Sequence, residues 1–216
     1  MRGSTPTAAL AGVPAGVQAL GPWMGRRQMF VRFAGEAETA TMYTADALAG
    51  ELARSASRSA FHSISVSGRD PLANSEYLIA VFEASAPPLP VMLDCDGQRP
   101  EAIPAIARHV ALVQVTLDAS GADPVMERAA ATLGHAAAAG VDHALVLTPS
   151  EHVVDGQLLR LVEQAHAASE KTAVVIHPPA GSAEKDRRWL TLMERAMAIH
   201  RDTRVFVRLP APTGMR

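Results

Sequence analysis

Carboxylates, hydroxyls and a histidine recur at intervals along this chain, each just after a β-branched run. Ser67-Gly68-Arg69-Asp70 closes one such run and Asp94-Cys95-Asp96 the next. Glu36, Asp118, Thr148, His177 and Arg208 stand in comparable places. Glu36, Asp70, Asp94 and Asp96 offer the hard oxygen donors that suit a divalent cation. Alternatively, one of these carboxylates is a general base toward a heterocycle, with His177 as the acid. Each group also has an ordinary reading, because polar residues end strands where loops meet water. On that reading Glu36 is a solvated loop carboxylate. His177, ahead of Pro178-Pro179, is then a strand-end imidazole bonded to a backbone carbonyl.

The elements that must position these groups follow from periodicity. Strands are expected at 28–34, 62–67, 89–93, 111–117, 143–148, 172–177 and 204–209. Ala-rich helical stretches separate them. Thr44 reads as the N-cap of a helix over 45–57, with Asp46 in its first turn. Asp123-Pro124 opens a long helix that Gly140 stops. Further helices are expected over 74–84, 100–109, 155–169 and 182–200. Strands separated by single helices imply right-handed crossovers and a parallel sheet. No G-x-G-x-x-G or G-x-x-x-x-G-K-[ST] occurs, so a barrel or partial barrel is favoured over a nucleotide-binding doubly wound sheet. In such folds the chemistry gathers at the C-terminal ends of the strands, where the groups above fall.

Composition narrows the function classes. The 216 residues are 48% hydrophobic but only 4% aromatic, so the core is mostly aliphatic. The 20 basic and 22 acidic residues leave a net charge of −2, which argues against nucleic-acid binding through bulk positive charge. No apolar run reaches the ~18 residues of a membrane span, and residues 8–20 are too interrupted by Gly and Pro for a signal peptide. The expected location is therefore cytoplasmic. The one cysteine, Cys95, excludes an intrachain disulfide. It equally excludes a three-thiolate iron–sulfur site from this chain. Residues 1–16 are expected to be a flexible tail ahead of a single domain over 17–216.

Three stretches, in order, carry a family resemblance. Val17-Gln-Ala-Leu-Gly-Pro-Trp-Met-Gly-Arg-Arg-Gln-Met-Phe-Val-Arg-Phe-Ala-Gly35 resembles I-Q-G-E-G-P-x-x-G-x-x-x-x-F-V-R-F-A-G-C, the opening of 7-carboxy-7-deazaguanine synthase. That is a radical S-adenosylmethionine enzyme of the queuosine precursor pathway. Ser65-Val-Ser-Gly-Arg-Asp-Pro-Leu72 resembles the family's S-x-T-G-G-E-P-L, and Met92-Leu-Asp-Cys-Asp-Gly97 its L-E-T-N-G. Weaker echoes lie in 110–117, 174–179 and 204–216. The resemblance spans residues 17–216. It implies a partial (βα) barrel of the radical S-adenosylmethionine type, with about six or seven parallel strands. It also implies a pterin- or deazapurine-like ligand and a homodimer.

The departures separate this chain from the family's reaction. The cluster motif C-x3-C-x2-C corresponds to Glu36, Ala40 and Tyr43. With all three thiolates gone, a 4Fe–4S cluster is excluded, and with it reductive cleavage of S-adenosylmethionine. Arg69 replaces the second Gly of G-G-E-P, which puts S-adenosylmethionine binding itself in doubt, while Asp70 keeps the carboxylate. Leu20 replaces the Glu of Q-G-E-G, while Gln18 keeps the Gln. Thr44 and Ala45 stand at the family's Asp-Thr. Arg208, Pro210 and Ala211 stand at its C-terminal Gln, His and Lys. The expectation is a cluster-free, non-catalytic paralogue with no resident cofactor. It would bind a heterocycle through Gln18, Ser67, Gly68, Arg69, Asp94, Asp96, Thr148 and Arg208, or pair with an intact family member. The alternative is a non-radical enzyme of the same mouth, with Glu36, Asp70 and His177 as catalytic groups and a divalent cation as its cofactor.

Overall fold

The structure, a computed structural model, describes residues 5–119, 123–182 and 186–206. Its centre is one sheet. The strands are β1 (Thr7–Gly12), β2 (Ala15–Val17), β3 (Arg27–Phe33), β4 (Thr41–Thr44), β5 (Ser63–Gly68), β6 (Val91–Cys95), β7 (Leu112–Leu117), β8 (Asp142–Leu147), β9 (Ala173–Ile176) and β10 (Thr203–Val205). Their order is β10-β9-β8-β7-β6-β5-β3-β1-β4, with β2 also on β3. From β3 through β5 to β10 every neighbouring pair is parallel. The partial barrel with about six or seven parallel strands is therefore what forms.

Helices α1 (Ala45–Arg58), α2 (Ser75–Ala84), α3 (Ile103–Ile106), α4 (Asp123–Ala138), α5 (Asp155–Ala168) and α6 (Arg188–Ile199) supply the crossovers. The Thr44 hydroxyl accepts the Ala47 N–H at 3.2 Å, closing the first turn of α1 as its sequence predicts. The expected helix over 100–109 is broken into 3₁₀ turns around α3. Pro104 lacks the N–H an uninterrupted α-helix needs. The helix expected from Ser182 starts at Arg188, and Ser182 lies in a turn.

Side-chain alternation along each strand divides the sheet into two faces. The outer face carries Val31, Val66, Leu93, Val113, Val115, Leu145 and Ile176 and packs on Leu48, Leu78, Leu133, Leu158 and Leu192 of the helices. Burying each such aliphatic side chain contributes roughly 1.5–3 kcal/mol. The inner face is different in kind. Gln28, Ser63, Ser65 and Gln114 are buried there, beside a small apolar floor of Met92, Leu112 and Ala144.

Residues 7–16 correct the expectation of a flexible tail. β1 runs antiparallel between β3 and β4, and Ala8 and Leu10 are buried in the main core. β2 continues along the same side of β3. The end of the strand expected at 204–209 lies outside the described residues. No helix among the described residues is long and apolar enough to cross a membrane.

Candidate functional site

The C-terminal ends of β5, β6 and β7 enclose a cleft of about 210 Å³ lined by Ser67, Gly68, Asp94, Cys95, Asp96 and Thr116. Four of these residues were expected at the mouth: Ser67, Gly68, Asp94 and Asp96. Gly68 holds the geometry there. Its φ is +98°, and a Cβ would lie 2.3 Å from the Phe33 carbonyl oxygen, so β3 and β5 approach too closely for any side chain. A larger hollow of about 620 Å³ lies at the other end of the strands, around Pro87–Pro90 and Arg108. It holds none of the residues the sequence singles out.

Asp94 and Thr116 are the chemical centre of the cleft. The Thr116 hydroxyl donates to Asp94 Oδ1 at 2.7 Å, and Gln114 Nε2 donates to Thr116 Oγ1 at 3.2 Å. Burial pushes the Asp94 carboxyl above its ordinary value, and hydrogen bonds from Thr116 and Gln114 offset part of that rise. A carboxyl held at an elevated pKa in a cleft is a candidate for general acid/base work or for accepting a ligand's hydrogen bond. Thr116 escaped sequence reasoning because it lies within a strand. The alternation Leu112-Gln114-Thr116 along the inner face is the signal that finds it.

The other expected carboxylates have partners of their own. Asp70, at φ +38°, caps the turn Pro71–Asn74 by accepting the Ala73 N–H at 3.1 Å, and pairs with Arg99 Nε at 2.8 Å. Asp96 accepts the Gln98 N–H at 3.1 Å and its side-chain amide at 2.5 Å. Glu36 pairs with Arg69 at 2.8 Å on the surface. Among the described residues, no group of three or more His, Cys, Asp or Glu side chains is disposed to hold a metal ion. Thr148 donates both its N–H and its hydroxyl to the Leu117 carbonyl, at 2.8 and 3.2 Å. Arg208 lies outside the described residues.

His177 and Gln18 meet through a loop. Residues 18–26 join β2 to β3 and reach across the inner face. The Gly21 N–H donates to His177 Nε2 at 3.0 Å. Nε2 is the acceptor in this bond, and the ring stacks on Phe206 at 5.7 Å. His177 therefore binds a backbone amide where sequence reasoning expected a carbonyl. Gln18 is buried, and its side-chain amide donates to the Leu20 carbonyl at 2.9 Å within the same loop.

Glu36, Ala40 and Tyr43, which the sequence resemblance sets against the cluster cysteines, do not fit an iron–sulfur group. Ala40 has no donor atom. Tyr43 sits in β4 opposite Ala8, its phenol pushed up by burial and by Glu51. Glu36 belongs to a loop tied by Glu38, whose carboxylate accepts the Gly35 N–H at 2.9 Å and pairs with Arg32 at 3.0 Å. Cys95 is buried and free, and burial pushes its thiol to about 12. That suits a core thiol and opposes thiolate ligation.

No family model matches the chain, and no curated protein sequence matches it. Solved structures do match. One is the crystal structure of QueE from Escherichia coli, at a TM-score of 0.59 and 12% identity, covering 94% of this chain and 95% of that one. At that identity the likeness is one of fold.

Proposed function

We propose that this chain is a cluster-free relative of 7-carboxy-7-deazaguanine synthase, the enzyme that QueE is, and that it keeps the barrel mouth as a binding site without radical chemistry. The Glu36–Arg69 ion pair supports this most directly. It joins the position of the first cluster cysteine to that of the second Gly of G-G-E-P, so two departures from the family pattern answer each other in space. The ligand class proposed is a pterin- or deazapurine-like heterocycle. Its aminopyrimidinone edge presents adjacent N–H donors to a carboxylate, and Asp94 is the carboxyl in the cleft. The cleft of about 210 Å³ is smaller than the ~300–1,000 Å³ of ordinary ligand pockets, so it suits one small planar ring system.

A second reading rests on Asp94 alone. A buried carboxyl with an elevated pKa beside a hydroxyl is equipped for proton transfer to a heterocycle. This non-radical enzyme would use Asp94 in the role first assigned to Glu36, Asp70 and His177. Pairing with a second copy, or with an intact family member, belongs to the first, non-catalytic reading and is read by light scattering.

Anaerobic reconstitution with iron and sulfide, followed by S-adenosylmethionine and a strong reductant, tests the first reading. The expected outcome is no iron–sulfur absorption and no 5′-deoxyadenosine. Formation of 5′-deoxyadenosine would overturn it.

A further inference from the structure

We propose that loop 18–26 is an intrasteric strap, whose Gly21 N–H takes the place of a ligand donor at His177 Nε2 and which must lift before a ligand rich in N–H donors enters the lumen. This rests on the mouth being a binding site, and concerns how that site is regulated.

The loop is a unit in itself. Gln18 N–H donates to the Arg26 carbonyl at 2.9 Å and Gly25 N–H to the Gln18 carbonyl at 2.8 Å. Met24 N–H reaches Gly21 and Arg26 N–H reaches Trp23, both at 3.1 Å. Such internal closure lets a compact loop move as one body on its ends, here Val17 and Arg27.

Its inward contacts are few and imperfect. Trp23 packs over Met92, Leu112 and Ala144 and meets the His62 ring edge-on at 4.9 Å. Gly21, at φ +77°, lies so close to Gln114 that a Cβ would be 1.9 Å from Gln114 Oε1. The Gln114 amide nitrogen is already committed to Thr116, so its oxygen faces Gly21. That oxygen is buried without a hydrogen-bond partner, as are Gln28 Oε1 and Ser65 Oγ on the same inner face. A buried acceptor without a donor is costly. The closed strap thus satisfies His177 Nε2 while covering Gln114 Oε1 with a carbon atom. Lifting it uncovers Gln114 Oε1 and withdraws the Gly21 donor from His177 Nε2, which leaves both acceptors to a ligand carrying several N–H groups.

Gly21→Ala tests the strap, because the added Cβ has no room in the closed position. Trp189 is 3% exposed, so acrylamide quenching of tryptophan fluorescence reports the change at Trp23. The quenching constant should rise at least about twofold in the variant. An unchanged constant in a folded variant would overturn the strap. Amide hydrogen exchange of the unmodified protein serves if the variant does not fold. The Gly21 amide should exchange at least ~100-fold faster than those of Val113 and Val115, and equal protection would overturn the proposal. Neither readout needs a ligand. A strap that opens while pterin gives no heat stands without the binding reading. A strap that stays shut while pterin binds falls alone.

Discussion

Arg69 Nη2 lies 2.8 Å from Glu36 Oε1, joining the loop after β3 to the end of β5. In the relation proposed above, these two residues stand where the 7-carboxy-7-deazaguanine synthase pattern has a cysteine and a glycine. The pair spans the ground between those two positions. Its value is positional, since the side chains are 59% and 83% exposed and water screens such pairs heavily.

A double-mutant cycle with Glu36→Gln and Arg69→Gly should therefore give a coupling of less than about 1 kcal/mol, smaller still at high salt. Urea denaturation measures it. A large coupling that resists salt would mean that the pair holds the fold together.

Gly68→Ala should be far more damaging. Its φ of +98° and the Phe33 carbonyl 2.3 Å from the added Cβ predict a loss of about 3 kcal/mol or more. Gly134→Ala is the control of opposite sign. It lies in α4, where an added Cβ meets nothing within 4 Å, and should stabilise by up to ~1 kcal/mol. Equilibrium denaturation of both variants checks the contrast.

Asp94 gives a pH signature. Burial raises its folded pKa above the ordinary 3.8, so the native state holds the proton longer than the unfolded chain does. Stability from this group is then greatest at low pH and falls as pH rises from 3.8 through the elevated value. Asp94→Asn removes that titration. The stability of Asp94→Asn relative to the parent should climb across this window and level off above it, as read by denaturation at a series of pH values. A difference independent of pH would contradict the elevated carboxyl.

The parallel sheet was legible because each strand from β3 through β5 to β10 is a compact β-branched or aliphatic run between helix-forming stretches. β1 and β2 were not. Thr7–Gly12 and Ala15–Val17 are rich in Ala and Gly, and only Ala8 and Leu10 carry the alternating burial that marks a strand. Thr41–Thr44 is too short to show a period. At the site, Ser67, Gly68, Asp94 and Asp96 were visible as strand ends, and the cleft gathers them. Asp70 and Glu36 were visible too, but their charges are spent on Arg99 and Arg69, partners that no local pattern reveals. The Gly21–His177 contact joins residues 156 positions apart. The loop over 18–26, crossing the inner face, brings them together.

Titration calorimetry of the iron-free protein with pterin, alongside Asp94→Asn, tests the central claim most directly. Saturable heat is expected for the parent protein without any metal, and binding weakened at least about tenfold in Asp94→Asn, ~1.4 kcal/mol, the scale of one lost hydrogen bond. No heat from the parent, or undiminished binding in the variant, would contradict it.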